Sequence, residues 1–215
     1  NAVYEKAWAM VQAVRFRSAM GLFQTMHSAF YEDHYNPESL LLRSIVYLYI
    51  CKYDEMDKVI SLFEKSYGPV RRSILVTLKS NPTGRDLFND LERAQKRRQG
   101  MKMQTQLPYI VLRHILMDGD VSREMSYLEL LNKELALVSK HPILARTGLG
   151  RYSVKVLVNR MNTTKSIIGD SAKARLFEMK DELKDLFEKT GFVKVEKLSG
   201  KKTALKQKMD GKAIE

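Results

Sequence analysis

Apolar residues recur along this chain at intervals of three and four residues, the spacing of one buried face of an α-helix. At the start, Tyr4, Ala7, Trp8 and Val11 follow this spacing and predict an amphipathic helix over residues 2–14. The same pattern predicts helices over residues 17–29, 37–50, 54–67, 70–80, 84–99, 104–117 and 121–140, and long helical segments from residue 152 onward. Only 5 Pro and 11 Gly are present, few for the many turns of an all-β protein. The pattern therefore predicts an all-α fold.

Breaking residues between the apolar stripes indicate where helices end. The pair Gly68-Pro69 predicts the end of the helix over residues 54–67. Asp120 is expected to be the N-cap of the helix over residues 121–140. Gly169-Asp170-Ser171 either divides the long C-terminal segment into two helices or is absorbed into one.

The C-terminal part of the chain has a different pattern from the N-terminal part. Leu176, Met179, Leu183 and Leu186 are spaced three, four and three residues apart, as in the seam of a coiled coil. We therefore expect two domains. Helical hairpins occupy residues 1–80, and an extended α-helical region with long antiparallel helices and a basic tail occupies residues 81–215.

The N-terminal segments repeat. Phe16 and Tyr53, each at a turn between two predicted helices, lie 37 residues apart, and Pro37 and Pro69 lie 32 apart. Units of this length, each built as helix, turn and helix, are typical of a solenoid array.

These repeats resemble the tetratricopeptide repeat family. Phe16 and Tyr53 match the aromatic residue in the family's turn between helices. Ala19 matches its small residue on the second helix, and Tyr47 matches an aromatic on the first helix. Three residues depart from the family's pattern. Ala7 and Ser44 replace its first-helix Gly, and Met56 stands at the small second-helix position of the second repeat. The resemblance covers about 70 residues.

The resemblance implies a curved groove that binds peptides or proteins, and hence a non-catalytic protein–protein interaction scaffold. The first helices of the two hairpins would line this groove with Tyr4, Trp8, Gln12, Leu41, Ile45 and Tyr49. Trp8 and Tyr49 could instead be core residues between helices. The pattern is most similar to repeats of bacterial cell-envelope proteins, which implies a periplasmic or envelope location. Because the chain begins at Asn1, we expect a fragment or a mature form.

Charge offers an alternative function. The chain has 37 Lys and Arg against 25 Asp and Glu, a net charge of +12. Two basic regions follow from the sequence: Arg93, Lys96, Arg97, Arg98 and Lys102, and in the tail Lys201, Lys202 and Lys206. They favour nucleic acid or an anionic surface as partner, whereas interspersed acids and the helix dipole favour an ordinary solvated surface. Self-association through the long helices is a third alternative.

Catalytic and metal-binding patterns are not found in the sequence. Gly148-Leu149-Gly150 has Ser153 where a dinucleotide fingerprint needs its third Gly, and Gly200-Lys201-Lys202-Thr203 lacks the first Gly of a phosphate loop. Among the four His, His27 and His34 lie nearest in sequence, but they do not have the spacing of a ligand pair. Cys51 is expected to be a packed thiol at a helix end. No apolar run reaches the length of a membrane span. We therefore expect no enzyme activity, cofactor or metal.

Overall fold

The computed structural model describes residues 2–28, 31, 33–97 and 105–209, the last seven by backbone alone. In these ranges the chain is all-α, which confirms the predicted fold class, and no strand is present. The helices are α1 (Ala2–Gln12), α2 (Phe16–Met26), α3 (Pro37–Tyr49), α4 (Tyr53–Lys79), α5 (Gly84–Gln95), α6 (Tyr109–Leu116), α7 (Gly119–Lys140) and α8 (Gly148–Met209). A short 3-10 turn, Leu144–Arg146, lies between α7 and α8.

The helices form two compact units. The first consists of Asn1–Arg71 and Asp181–Glu215, and the second of Arg72–Lys180. The boundaries between the units fall within α4 and within α8, whereas the sequence suggested a single division at residue 80. The C-terminal segment of α8 thus belongs to the same unit as the N-terminal hairpins.

The first unit contains two helical hairpins that are closed by the same turn. The Arg15 amide donates to the Met10 carbonyl, and 37 residues later the Lys52 amide donates to the Tyr47 carbonyl, both at 2.8 Å. Each turn also holds one residue in the left-handed region, Val14 at φ 60° and Cys51 at φ 57°. This arrangement satisfies carbonyls at the end of a helix that would otherwise lack partners.

Cys51 is therefore exposed in the second turn, and the expectation of a packed thiol was wrong. Its backbone lies in the left-handed region at φ 57°, so Cys51 belongs to the turn that follows α3 and its side chain is exposed to solvent.

Inside the hairpins the repeat is visible in the core. Ala7 and Ser44 are fully buried, as are Ala19 and Met56 one repeat apart. Ala7 and Ala19 belong to one cluster with Phe23 and Met26, so small residues on facing helices of the first hairpin let the backbones approach closely. Ser44 can be buried because its hydroxyl donates to the Leu41 carbonyl at 2.7 Å.

Helix α4 continues through Pro69, so the prediction that it ends at Gly68-Pro69 was wrong. A proline inside a helix removes a hydrogen bond and costs about 3 kcal/mol. The residues on both sides of it, Phe63, Tyr67, Val70 and Ile74, keep helical spacing and are all buried. Burial of each such side chain contributes roughly 1.5–3 kcal/mol, so continuing the helix is favoured over ending it.

Side-chain N-caps fix the first residues of two helices in the second unit. Thr83 and Asp86 form a capping box at the start of α5, with each side chain bonded to the other residue's amide. The N-cap of α7 is Asp118, whose carboxylate accepts from the amides of Asp120 and Val121, so the assignment of the N-cap to Asp120 was wrong. Gly119 is the first residue of that helix, because the cap precedes it.

Helix α8 is continuous across Gly169, so of the two alternatives the sequence left open, absorption of this glycine is correct. A Cβ on Gly169 would lie 1.8 Å from the Gly84 carbonyl oxygen, so this glycine allows the start of α5 to approach α8 closely. Each apolar residue of the coiled-coil-like spacing is buried: Leu176, Met179, Leu183 and Leu186.

Candidate functional site

The first helices of the two hairpins place large apolar side chains in solvent at equivalent positions. Trp8 and Ile45, which are 37 residues apart, are both 39 % exposed. Gln12 and Tyr49 are also one repeat apart, and Tyr49 is 72 % exposed. We call Trp8, Gln12, Ile45 and Tyr49 the α1–α3 face.

Contacts at both ends align α1 with α3. Near their first turns the Tyr4 hydroxyl donates to the Glu38 carboxylate at 2.6 Å. Near their last turns the rings of Phe16, at the start of α2, and Tyr49 lie 5.2 Å apart between centroids. The first turns of α1 and α3 are therefore joined, and the turn that follows α1 lies beside the last turn of α3, so the two helices run in the same general direction.

The other two residues expected in the groove have different environments. Leu41 is only 4 % exposed, so it belongs to the core. Tyr4 is half-buried, and its burial together with the bond to Glu38 raises its pKa above the ordinary value. Tyr4 therefore joins α1 to α3 through a hydrogen bond, and Leu41 is unavailable to a partner.

The first unit contains a contact between a histidine and a serine that the sequence patterns did not predict. The Nε2 of His27 lies 3.0 Å from the Ser39 hydroxyl oxygen. That hydroxyl donates its proton to the Asn36 carbonyl at 2.7 Å, so it accepts from the imidazole. Burial, and secondarily the positive charge of Arg43, lower the pKa of His27 to about 4. Because Ser39 is fully buried, the contact stabilises the start of α3 and offers no nucleophile to a substrate.

No set of three His, Cys, Asp or Glu that could hold a metal ion occurs in the described ranges. His27 and His34 are also not brought together as a ligand pair, since His27 bonds Ser39 while the ring of His34 packs edge-on against Tyr31. None of the helices as described has the length and apolarity to cross a bilayer.

The first basic region has partners within the second unit. Arg93 lies 3.4 Å from Asp90, and Lys96 lies 2.9 Å from Glu92. The Arg97 guanidinium stacks 4.0 Å above the Tyr109 ring centroid. Arg98 and Lys102 lie outside the described residues.

The tail of α8 uses its cations against α4 in the first unit. Lys194 pairs with Glu64 at 2.6 Å, and Lys197 pairs with Asp57. The Lys201 ammonium lies 5.7 Å from the centroid of the Tyr53 ring. Lys202 is exposed, and the side chain of Lys206 lies outside the described part of the chain. Part of the positive charge that marked the tail in the sequence therefore holds α8 on α4.

No family model, curated protein or solved structure matches this chain. The tetratricopeptide resemblance thus stays a prediction based on the residues quoted above.

Proposed function

We propose that the chain is a non-catalytic scaffold that binds a protein partner through the α1–α3 face. The observation that carries the proposal is the recurrence of exposed apolar side chains at the same repeat position, Trp8 and Ile45, next to Tyr49. Their neighbours in the sequence, Ala7 and Ser44, are fully buried, so the exposure is specific to this side of the helices.

The composition of the face suits binding of a protein. Trp and Tyr are enriched among the residues that dominate binding energy, because they bury a large area with few rotatable bonds. Trp8 lies on α1 and Ile45 and Tyr49 lie on α3, and we infer that their exposed apolar groups form a row across the two helices. Such a row fits an extended or helical segment of a partner.

The chain provides its own reporter for this face. Trp8 is the only tryptophan, so its emission reports on the α1–α3 face alone. A partner protein is first captured with the wild-type chain and is then titrated into that chain. We expect a blue shift of the Trp8 emission, because the bound partner excludes water from the ring. In the double variant Ile45→Asp/Tyr49→Ser capture should fall at least ten-fold, because a buried unpaired carboxylate opposes binding.

The matched control is Phe192→Asp, at a side chain of comparable exposure elsewhere in the same unit. Equal capture by the wild type and by Ile45→Asp/Tyr49→Ser, with Trp8 emission unchanged on titration, would refute the proposal.

Binding of nucleic acid or another anionic surface through the C-terminal helix is the alternative. It has less support, because Lys194, Lys197 and Lys201 already contact α4. Anisotropy of labelled oligonucleotides with Lys201→Gln/Lys202→Gln at two salt concentrations tests it. Tight binding that is sensitive to salt and lost in this variant would favour the alternative.

A further inference from the structure

A second exposed apolar region lies at the end of the helical hairpin formed by α7 and α8 in the second unit. Its most exposed side chains are Leu137 and Ile143, both at 73 %, and Leu149 and Tyr152 at 66 % and 67 %. We call residues 137–155 the hairpin tip. None of these four side chains has a role in the α1–α3 face.

The two helices of this hairpin are antiparallel and have an apolar cleft between them. The cleft has a volume of about 390 Å³ and is lined from α7 by Glu134, Leu137 and Val138 and from α8 by Tyr152, Ser153, Val156 and Leu157. Its one carboxylate, Glu134, is the lining residue of α7 farthest from the tip. Apolar surface therefore extends from the cleft to the end of the hairpin.

The connection at the tip is held by hydrogen bonds. The Leu144 amide donates to Nδ1 of His141 at 3.0 Å, and the Thr147 hydroxyl donates to the Leu144 carbonyl at 2.7 Å. The same hydroxyl accepts from the Gly150 amide at 3.0 Å. A Cβ on Gly150 would lie 1.9 Å from the Leu144 carbonyl oxygen, so only glycine permits this close turn. The turn presents Ile143 and Leu149 outward on a fixed backbone.

The charge around the tip has a single sign. Residues 135–169 contain six Lys and Arg and no Asp or Glu, and they form the longest stretch of the chain without an acid. Lys140, Arg146, Arg151 and Lys155 surround the tip and are exposed. In contrast to the cations of the α8 tail, none of these four has an ion pair within the described residues.

Exposed apolar side chains within a collar of unpaired cations match the interface of an anionic bilayer. The apolar groups enter the boundary between headgroups and acyl chains, and the cations contact the anionic headgroups. Nucleic acid would use the cations but would leave Ile143 and Leu149 in water. We propose that the hairpin tip binds the surface of a bilayer that contains anionic lipid, without spanning it.

Sedimentation with lipid vesicles tests this proposal on the full chain. We expect binding to vesicles of 30 % phosphatidylglycerol in phosphatidylcholine, and at least ten-fold weaker binding to phosphatidylcholine alone. Each cation near the surface contributes about five-fold to partitioning. Arg146→Gln/Arg151→Gln should therefore reduce binding to the anionic vesicles by about 25-fold.

The apolar contribution is tested with Ile143→Asp/Leu149→Asp, which should reduce binding at least ten-fold. Phe192→Asp/Val195→Asp changes two comparably exposed apolar side chains of α8 outside the tip and should bind as the wild type does. Circular dichroism shows whether each variant is folded, and both pairs of sites are exposed, so folding should be retained.

Insertion can be observed directly because Cys51 is the only cysteine. In a Cys51→Ser background, an environment-sensitive dye on Ile143→Cys should shift to the blue with anionic vesicles, and the same dye on Phe192→Cys should not. Equal binding to both kinds of vesicle, or no loss in either tip variant, would overturn the proposal. Binding of an oligonucleotide in place of vesicles, unaffected by Ile143→Asp/Leu149→Asp, would overturn it in favour of nucleic acid.

Discussion

Two glycines of the same helix should respond to the same substitution with opposite sign. Gly169 and Gly191 both lie in the interior of α8, where Ala is favoured over Gly by about 1 kcal/mol. A Cβ on Gly191 would meet nothing within 4 Å. Gly191→Ala should therefore stabilise the protein by about 1 kcal/mol.

At Gly169 the new Cβ would lie 1.8 Å from the carbonyl oxygen of Gly84 and 2.3 Å from its carbon. Ordinary contacts between such atoms are about 3.5 Å, so α5 and α8 would have to separate by roughly 1.5 Å. Backbone atoms cannot rotate away as a side chain can. The separation would also strain the bond between the Lys173 ammonium and the Asn81 side chain, which is 2.7 Å long.

Overpacking of this kind costs about 3 kcal/mol, the upper part of the usual range. After subtraction of the gain in helix propensity, Gly169→Ala should destabilise the protein by about 2 kcal/mol. For a chain of this length 1 kcal/mol corresponds to roughly 2–4 °C in the melting temperature. We therefore expect a decrease of about 4–8 °C for Gly169→Ala and an increase of about 2–4 °C for Gly191→Ala.

The assay is thermal unfolding followed by circular dichroism at 222 nm, with urea unfolding as a second measure. If both variants changed the melting temperature by the same amount and in the same direction, the close approach of α5 to α8 at Gly169 would be refuted.

Three further predictions concern the turns, a buried histidine and a helix cap. Val14→Gly and Cys51→Gly should each raise the free energy of unfolding by about 0.5–1 kcal/mol in urea titrations, because both residues are exposed and have positive φ, which is unfavourable for side chains with a Cβ. No change in either variant would contradict the left-handed turns. His27 has a folded-state pKa of about 4, below its ordinary 6.5, so its contribution to stability is complete above pH 6.5 and is lost as the pH falls toward 4. His27→Gln should make the urea midpoint less sensitive to a change from pH 7.5 to 5, and an unchanged sensitivity would argue against burial of the imidazole. Thr83→Ala removes one half of the capping box of α5 and should cost about 1 kcal/mol, whereas Thr83→Ser should cost little.

Much of the hairpin architecture could be predicted from local patterns. The period of 37 residues deduced from Phe16 and Tyr53 recurs in the hydrogen bonds of both turns and in the buried pair Ala7 and Ser44. Such features depend on residues close in sequence, whose preferences act within one or two turns of helix. Trp8 and Ile45 are exposed whereas Leu41 is buried, a difference that depended on which side of each helix meets the core.

The effect of Gly and Pro on where helices end was the feature hardest to predict from the sequence. Gly68-Pro69 and Gly169 have the local preferences of helix ends, yet both lie within continuous helices. In α4 the buried side chains on both sides of Pro69 outweigh the lost hydrogen bond. In α8 the glycine is required by a backbone 85 positions away in sequence, at Gly84. No local pattern contains that information.

The spacing of apolar residues alone predicts the all-α class and the repeat of the first two hairpins, and the composition gives the excess of positive charge. Tertiary structure decided which cations remain available. Lys194 and Lys197 are held by acids of α4, whereas Lys140, Arg146, Arg151 and Lys155 at the hairpin tip meet none among the described residues. The physical reason is that helix formation depends on neighbours three and four residues away, while the pairing of a charge depends on which distant helix the fold brings beside it.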